Sequence, residues 1–426
     1  MALAGGGAVR RGRDGRGLTG ARRAAGDGGE SPVAARPAGA QLRAGAAVVP
    51  DARPAAPGSP RRAAREPRAR VTAWLDEMRR QTGRMADALG YGPQETPWRS
   101  VADLPGAQLR AYHAREREDG PVLLICPAPF KRPYIWDLMP PVSVVRRCLA
   151  RGLRVYLVAW RDPAAPEDRW GLADYADRIP SEALAAIAAE TGGAAPILAG
   201  HSLGGTLAAI CAARHPGAVA GLVLLDAPLA FGEAGGPLAR AAREIPDLAG
   251  LRATLGDPVP GSVITALSLQ AAPEVFRLQP ALDLAACLGD PLALAVHARV
   301  ARWALDEFAL PGPFFEDVLA QLYREDRFLA GTLRVGAHRV GLAGVRAPIL
   351  AVLNPSGLIV PPESLRRGLA AVAGPPAELL TYEGEPGPML QHLGPLVGPA
   401  AHARLWPGIL DWILRRAAAP GAADPA

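Results

Sequence analysis

Apolar and polar positions along this chain follow two different periods. Short apolar runs recur along the chain: "PVLLICPAPF", "LRVYLVAW", "APILAG", "VAGLVLLDAP" and "APILAVLN", with the more mixed "AELLTYEG". Each predicts a strand, and the continuous runs "PVLLICPAPF" and "LRVYLVAW" predict strands buried in a parallel sheet. Between them lie stretches with helical spacing: "SVVRRCLARG", stopped by Gly152, then "YADRIPSEALAAIAAETG", helical despite Pro180, "SLGGTLAAICAARHPG" and "PESLRRGLAAVAG". Strands alternating with helices imply a mostly parallel central sheet with helices on both faces. "QLRAYHA" alternates residue by residue and predicts an antiparallel strand. The alternation breaks from Phe231 to about Ala330, where a Leu- and Ala-rich helical stretch intervenes. An insertion between late strands of such a sheet is expected to cap the site. Val71, Trp74, Leu75, Met78, Met85 and Leu89 recur at near-helical spacing before Gly90 and predict an amphipathic helix. The predicted organisation is therefore a tail over residues 1–70, an amphipathic helix over 71–95, a core over 96–231 and 332–416, a helical cap over 232–331, and a C-terminal tail over 417–426. No internal repeat is visible.

The net charge of +6 is unevenly spread over the 426 residues. Residues 1–70 hold 14 Arg against 5 Asp or Glu, so the remainder carries a net −3. That first segment is rich in Ala, Gly, Arg and Pro and reads as disordered, because it has too little apolar surface to offset ordering. Arg10-Arg11 is followed by no apolar run, which argues against an export signal. With its charge confined to a tail, the chain is expected to have no specific nucleic-acid partner. Cys126, Cys148, Cys211 and Cys287 show no metal or redox spacing, and three of them fall in apolar runs. They read as core thiols in a reducing cytoplasm, and no metal is expected. Thr191 to Ala213 lacks Asp, Glu, Lys and Arg, but Pro196 and its glycines make it strand-turn-helix rather than a membrane span. No transmembrane segment is expected.

The candidate chemistry sits inside that stretch. "AGHSLGGTLA" places Gly200-x-Ser202-x-Gly204 where a strand ends and a helix begins. In this context the motif predicts a nucleophile elbow, a turn so tight that its flanks must lack bulk. The Ser202 hydroxyl would project above the carboxyl ends of the strands, beside a helix N-terminus whose dipole favours an oxyanion. An oxyanion hole needs two N–H donors. Leu203, directly after the nucleophile, is one candidate. The other should come from the loop after "VLLI", where Pro127 and Pro129 have no N–H; Ala128 is the first choice and Phe130 the second. The order nucleophile, acid, histidine requires a late His. Of seven histidines only His392 and His402 come late enough. His392 lies in the loop "GEPGPMLQHLGPLVG" and fits the base; His402 lies in a helix and reads as a surface residue.

Several longer motifs carry a resemblance. "KRPYIWDL", "SVVRRCLARGLRVYLVAWRDP", "DRWGLADY", "RWALDEF", "LYREDRFLAGTLRVGAHRVGLAGVRAPIL" and "LIVPPESL" resemble polyhydroxyalkanoate synthases, above all their class III catalytic subunits. The likeness runs from about Thr96 to Ile413. It implies an α/β-hydrolase fold with a cap, which moves hydroxyacyl groups from a coenzyme A thioester onto a cysteine and then onto a growing polyester. Two positions depart from that pattern. Ser202 stands where the synthases carry their cysteine. Gly357, in "NPSGLIVPP", stands where they carry the catalytic aspartate. His392, in "QHLG", matches their catalytic histidine.

The missing acid must come from elsewhere, and Asp226, Glu363, Glu383 and Glu385 are the candidates. Asp226 ends the strand after the nucleophile helix, a place where some lipases of this fold carry their acid, and it keeps the required order. Glu383 and Glu385, in the loop leading to His392, are the fallback. Asp137, Asp162 and Trp303 match further positions of the resemblance and read as loop or pocket architecture. Three readings compete. The first is a serine acyl hydrolase acting on a small-molecule or oligomeric acyl ester or thioester. The second is a synthase-like acyltransferase using hydroxyacyl-coenzyme A as substrate, with no bound cofactor. The third is a non-catalytic relative at a polyester granule surface.

Overall fold

The computed structural model describes residues 60–113, 119–163, 169–389 and 391–418. The predicted tails lie almost wholly outside these residues. A helix α1 (Pro60–Ala88) comes first, beginning before the expected position 71. The next two strands are β1 (Arg99–Leu104), absent from the sequence reading, and β2 (Ala107–Ala111). They form an antiparallel pair with an irregularity between Ser100 and Ala102. The polar, broken pattern of "RSVADL" hides a strand that is only partly covered.

The core then follows the alternation read from the sequence. It runs β3 (Val122–Cys126), α2 (Val144–Ala150), β4 (Arg154–Trp160), α3 (Ile179–Thr191), β5 (Ile197–His201), α4 (Leu203–Arg214) and β6 (Gly221–Leu225). Six cap helices come next: α5 (Gly236–Glu244), α6 (Leu248–Leu255), α7 (Gly261–Ala271), α8 (Gln279–Cys287), α9 (Pro291–Ala304) and α10 (Gly312–Asp317). A short hairpin, β7 (Leu333–Val335) with β8 (His338–Val340), returns the chain to the core. The fold closes with β9 (Ile349–Leu353), α11 (Pro362–Ala370), β10 (Glu378–Thr381), α12 (Gly394–Val397) and α13 (Trp406–Ala417).

The eight-stranded sheet has the order β1-β2-β4-β3-β5-β6-β9-β10. β2 runs antiparallel to β4, and every pair from β4 to β10 is parallel. This is the α/β-hydrolase fold. Successive side chains of each central strand enter opposite cores, as the two-residue period of a strand requires. Leu124, Leu198, Leu222 and Leu224 meet α3 and α4 on one face. Leu123, Ile125, Val223 and Leu225 meet α2 and α13 on the other. With both faces covered, the central strands can be apolar at every position, which is why the sequence shows runs there rather than alternation. The cap is inserted between β6 and β9, and thus stands over the carboxyl ends of the parallel strands.

Candidate active site

β5 ends at His201 and α4 begins at Leu203, so the turn consists of Ser202 alone. Ser202 has φ 54° and ψ −135°, a conformation that side chains rarely adopt and that costs about 1–3 kcal/mol. Neighbouring glycines make the turn sterically feasible. A Cβ on Gly200 would lie 2.5 Å from the Gly205 backbone. A Cβ on Gly204 would lie 2.2 Å from the Cys126 carbonyl oxygen and 2.8 Å from the Ala128 nitrogen. Gly204 therefore lets the loop after β3 press against the start of α4, next to Leu203.

The loop is held in turn by Trp160, whose indole N–H donates to the Pro127 carbonyl at 2.7 Å. Among the described residues, neither the Ala128 nor the Leu203 amide has a hydrogen-bond acceptor. Both residues line the same cavity as Ser202. Phe130 lines it too, while its carbonyl accepts from Phe308 of the cap.

Asp226 directly follows β6. Its amide donates to the Val352 carbonyl, and it too has a positive φ, 44°. Its buried carboxylate accepts from His392 Nδ1 at 2.6 Å. With Nδ1 carrying the proton, Nε2 of a neutral His392 ring is left as the proton acceptor. His392 lines the cavity that contains Ser202. Among the described residues no hydrogen bond links Ser202 to His392.

The other carboxylates are engaged elsewhere. Glu385 accepts from the Ala401 amide at 2.8 Å and also from that of Ala400, with its pKa raised chiefly by burial. Glu383 is exposed. Glu363 pairs with Arg367 at 2.8 Å. At Gly357 there is no room for a replacement acid, because a Cβ there would lie 2.4 Å from the Val360 carbonyl oxygen. The loop after β9 is folded tightly on itself, with Gly357 donating to the Asn354 carbonyl.

Two residues that the sequence did not single out hold the His392 segment. His201 Nε2–H donates to the carbonyl oxygen of His392 at 2.7 Å, and the two rings lie 4.4 Å apart. Burial first, and the nearby His392 second, keep the His201 pKa well below the ordinary value. His201 thus stays neutral and does not oppose charge on His392. The second residue is Asp283 on cap helix α8. Its carboxylate accepts from the Gly387 and Met389 amides at 3.1 and 2.9 Å, from the Gln391 side chain at 3.4 Å, and from His297 Nδ1 at 3.0 Å. The only available signal for Asp283 was an acid embedded in a Leu- and Ala-rich helix. Asp283, Cys287 and His297 also bring three metal-ligand atoms within 4.8 Å of one another. Hydrogen bonds to Asp283 account for this cluster, since its carboxylate already accepts from five donors, the Cys287 thiol among them at 3.8 Å.

His402 differs from its expected surface position. It is buried, accepts from Arg147 Nε at Nδ1 (3.0 Å) and donates from Nε2 to the Leu396 carbonyl (2.7 Å). Burial pulls its pKa down to about 4. Asp137 is buried, where it accepts from the Thr96 and Ser143 hydroxyls, and Trp303 donates to the Arg132 carbonyl at 2.8 Å.

The cavity above Ser202 has a volume of about 770 Å³, and its cap-side wall includes Leu238, Ile264, Leu267, Phe276 and Phe315. Lys131 also lines it, neutralised by Glu307 at 2.7 Å, with its pKa lowered chiefly by desolvation. The space is mainly apolar with polar groups at several points of its wall, the usual make-up of a small-molecule cavity.

The alpha/beta hydrolase fold family matches residues 121–245. The poly(3-hydroxyalkanoate) polymerase subunit PhaC of Haloferax mediterranei is 27% identical over 333 residues, covering 72% of this chain and 62% of that protein. The PhaC subunit of Allochromatium vinosum is 25% identical, covering 72% of this chain and 84% of that one. This chain thus spans about three-fifths of the length of the Haloferax relative. Among solved structures, an alpha/beta hydrolase fold protein from Nakamurella multipartita aligns over 76% of this chain with a TM-score of 0.44 and 19% identity.

Proposed function

We propose that this chain, an α/β-hydrolase-fold protein similar to poly(3-hydroxyalkanoate) polymerase subunits, is a serine acyl hydrolase. The observation that carries this reading is the 2.6 Å hydrogen bond from His392 to Asp226, at the same cavity as Ser202. Ser202 Oγ attacks the carbonyl carbon of an ester or thioester while His392 Nε2 takes its proton. The Leu203 and Ala128 amides hold the resulting oxyanion. Collapse expels the alcohol or thiol, which receives the proton from His392. Water then adds to the acyl-serine with His392 again as base, and the free acid leaves. Asp226 keeps the His392 tautomer correct and stabilises its charged form.

The substrate class is a hydroxyacyl ester, an oligomeric polyester, or an acyl thioester, taken up by the apolar cavity. A polyester granule in the cytoplasm is the setting this reading implies. Serine favours hydrolysis over polymerisation, because a serine ester is less primed for onward acyl transfer than a thioester. The sequence likeness to polymerases favours the second reading, an acyltransferase using hydroxyacyl-coenzyme A. Supplying 3-hydroxybutyryl-coenzyme A, and separately short 3-hydroxybutyrate oligoesters, distinguishes the two. Free hydroxyacid is the expected product from both. Polymer without free acid would overturn the hydrolase reading. A fluorophosphonate probe should label Ser202 and fail on Ser202→Ala; an unlabelled native protein would leave only a non-catalytic role.

A further inference from the structure

Helix α1 is turned the opposite way from an ordinary surface helix. Its polar side faces the protein. Asp76 accepts from the Ser262 amide at 3.1 Å, and Arg79 donates to the Leu305 carbonyl. Asp87 receives a two-pronged bond from Arg302 of α9, at 2.7 and 2.8 Å. Gly83 lets that guanidinium approach, since a Cβ there would lie 3.1 Å from it. The apolar stripe points outward. Trp74 is 61% exposed, Met85 68% and Leu89 73%, and Val71, Leu75 and Met78 are exposed beside them. Six large apolar side chains spaced along one helix face exceed the scattered exposure of an ordinary surface and mark an interaction site.

Charge identifies the occupant. Residues 60–90 carry eight Arg against four Asp or Glu. Arg70, Arg80 and Arg84 are exposed, and Glu77 is the acid that pairs with the last two. An apolar stripe containing a tryptophan, edged by Arg70 on a helix of net positive charge, suits an interface where hydrocarbon meets negative headgroups. A second copy of α1 would bring two net-positive helices together. A neutral polyester would accept the stripe but give the arginines no counter-charge. Residues 1–59 contain no aromatic residue and only three leucines, a poor complement to the stripe. No helix among the described residues is long and apolar enough to cross a membrane.

We propose that α1 is an interfacial helix that lays Val71, Trp74, Met78 and Met85 into the surface of an anionic lipid layer, with Arg70 at the headgroups, its net positive charge drawing it there, and its polar side holding the catalytic body. This goes beyond the catalytic reading and stands independently of it. The test is flotation of the full chain with vesicles of phosphatidylglycerol and phosphatidylcholine, and with phosphatidylcholine alone. Binding should require phosphatidylglycerol and weaken with salt. Replacing Trp74, Met78 and Met85 together by Ser should weaken it by more than about tenfold. Arg70→Gln should weaken it by about fivefold, at about 1 kcal/mol for an arginine near the surface. Both variants should keep the native melting temperature and soluble-ester turnover. Equal binding to neutral vesicles, binding unaffected by the stripe variant, or no binding to either vesicle would overturn the proposal. So would a dimer that the stripe variant abolishes, or a preference for polyester particles over anionic vesicles.

Discussion

Replacing Asp226 by Asn tests the catalytic reading at its centre. The substitution keeps the shape of the side chain and removes its charge. The native carboxylate accepts the Nδ1 proton of His392 at 2.6 Å in a buried setting. An amide can turn its NH2 toward that nitrogen, which then becomes an acceptor and moves the ring proton to Nε2. A protonated Nε2 cannot take the proton of Ser202. The imidazolium formed during attack also loses its neighbouring negative charge. Together these effects should lower kcat by about 10⁴-fold, about 5.5 kcal/mol of barrier. The assay is turnover of a soluble aryl ester alongside the rate of fluorophosphonate labelling at Ser202, with near-ultraviolet circular dichroism to confirm native packing. Asp226→Asn combined with Gly357→Asp should not recover activity, because the Cβ at 357 would meet the Val360 carbonyl at 2.4 Å. A loss below tenfold, or rescue by the second substitution, would refute the assignment of Asp226 as the acid.

Gly204→Ala should abolish turnover, because its Cβ would lie 2.2 Å from the Cys126 carbonyl and force apart the two amides proposed for the oxyanion; kcat and labelling rate report it. Asp283→Ala removes the acceptor that gathers the Gly387, Met389 and Gln391 donors, so kcat should fall about 10–100-fold with KM little changed, and exchange of the 387 and 389 amides should accelerate. His402 should make the fold acid-sensitive. Its folded pKa of about 4 lies below the ordinary 6.5, so the unfolded chain binds more protons between those values. Its stabilising contribution is complete above about pH 6.5 and is lost as pH falls toward 4, about 3 kcal/mol in all. Urea melts at pH 7 and pH 4.5 should show this loss in the native protein and a smaller one in His402→Gln, where His201 contributes in the same direction.

The central parallel strands were legible because burial on both faces leaves continuous apolar runs, while the exposed edge strand β10 was read from a shorter, mixed one. β1 was not, since an edge strand with a polar side and an irregular register resembles a loop. The β7–β8 hairpin was hidden by length, its strands being only three residues each. Ser202 could be singled out because the tight turn leaves a glycine signature. The partner of His392 was less legible: four carboxylates fit the chain order, and only three-dimensional proximity distinguishes Asp226 from them. His402 was misplaced because helical position alone does not reveal that α2 supplies Arg147 to its ring. The outward face of α1 was equally invisible. The period of a stripe says that a helix has two sides, while polar anchors on α9 and the α7 segment decide which side turns inward.

The position of the cap has a consequence for synthesis. Ala128, Ser202, Leu203 and Asp226 all precede it, whereas His392 follows 166 residues after Asp226. On the proposed reading, a ribosome completes the nucleophile turn and the two oxyanion donors long before it makes the base. Through that interval the nascent chain can fold its strands up to β6 but has no group to activate Ser202. The histidine then arrives together with the segment that Asp283 of the cap secures. If the proposed function holds, reactivity toward esters is withheld until the cap has been made and appears with almost the last elements of the fold.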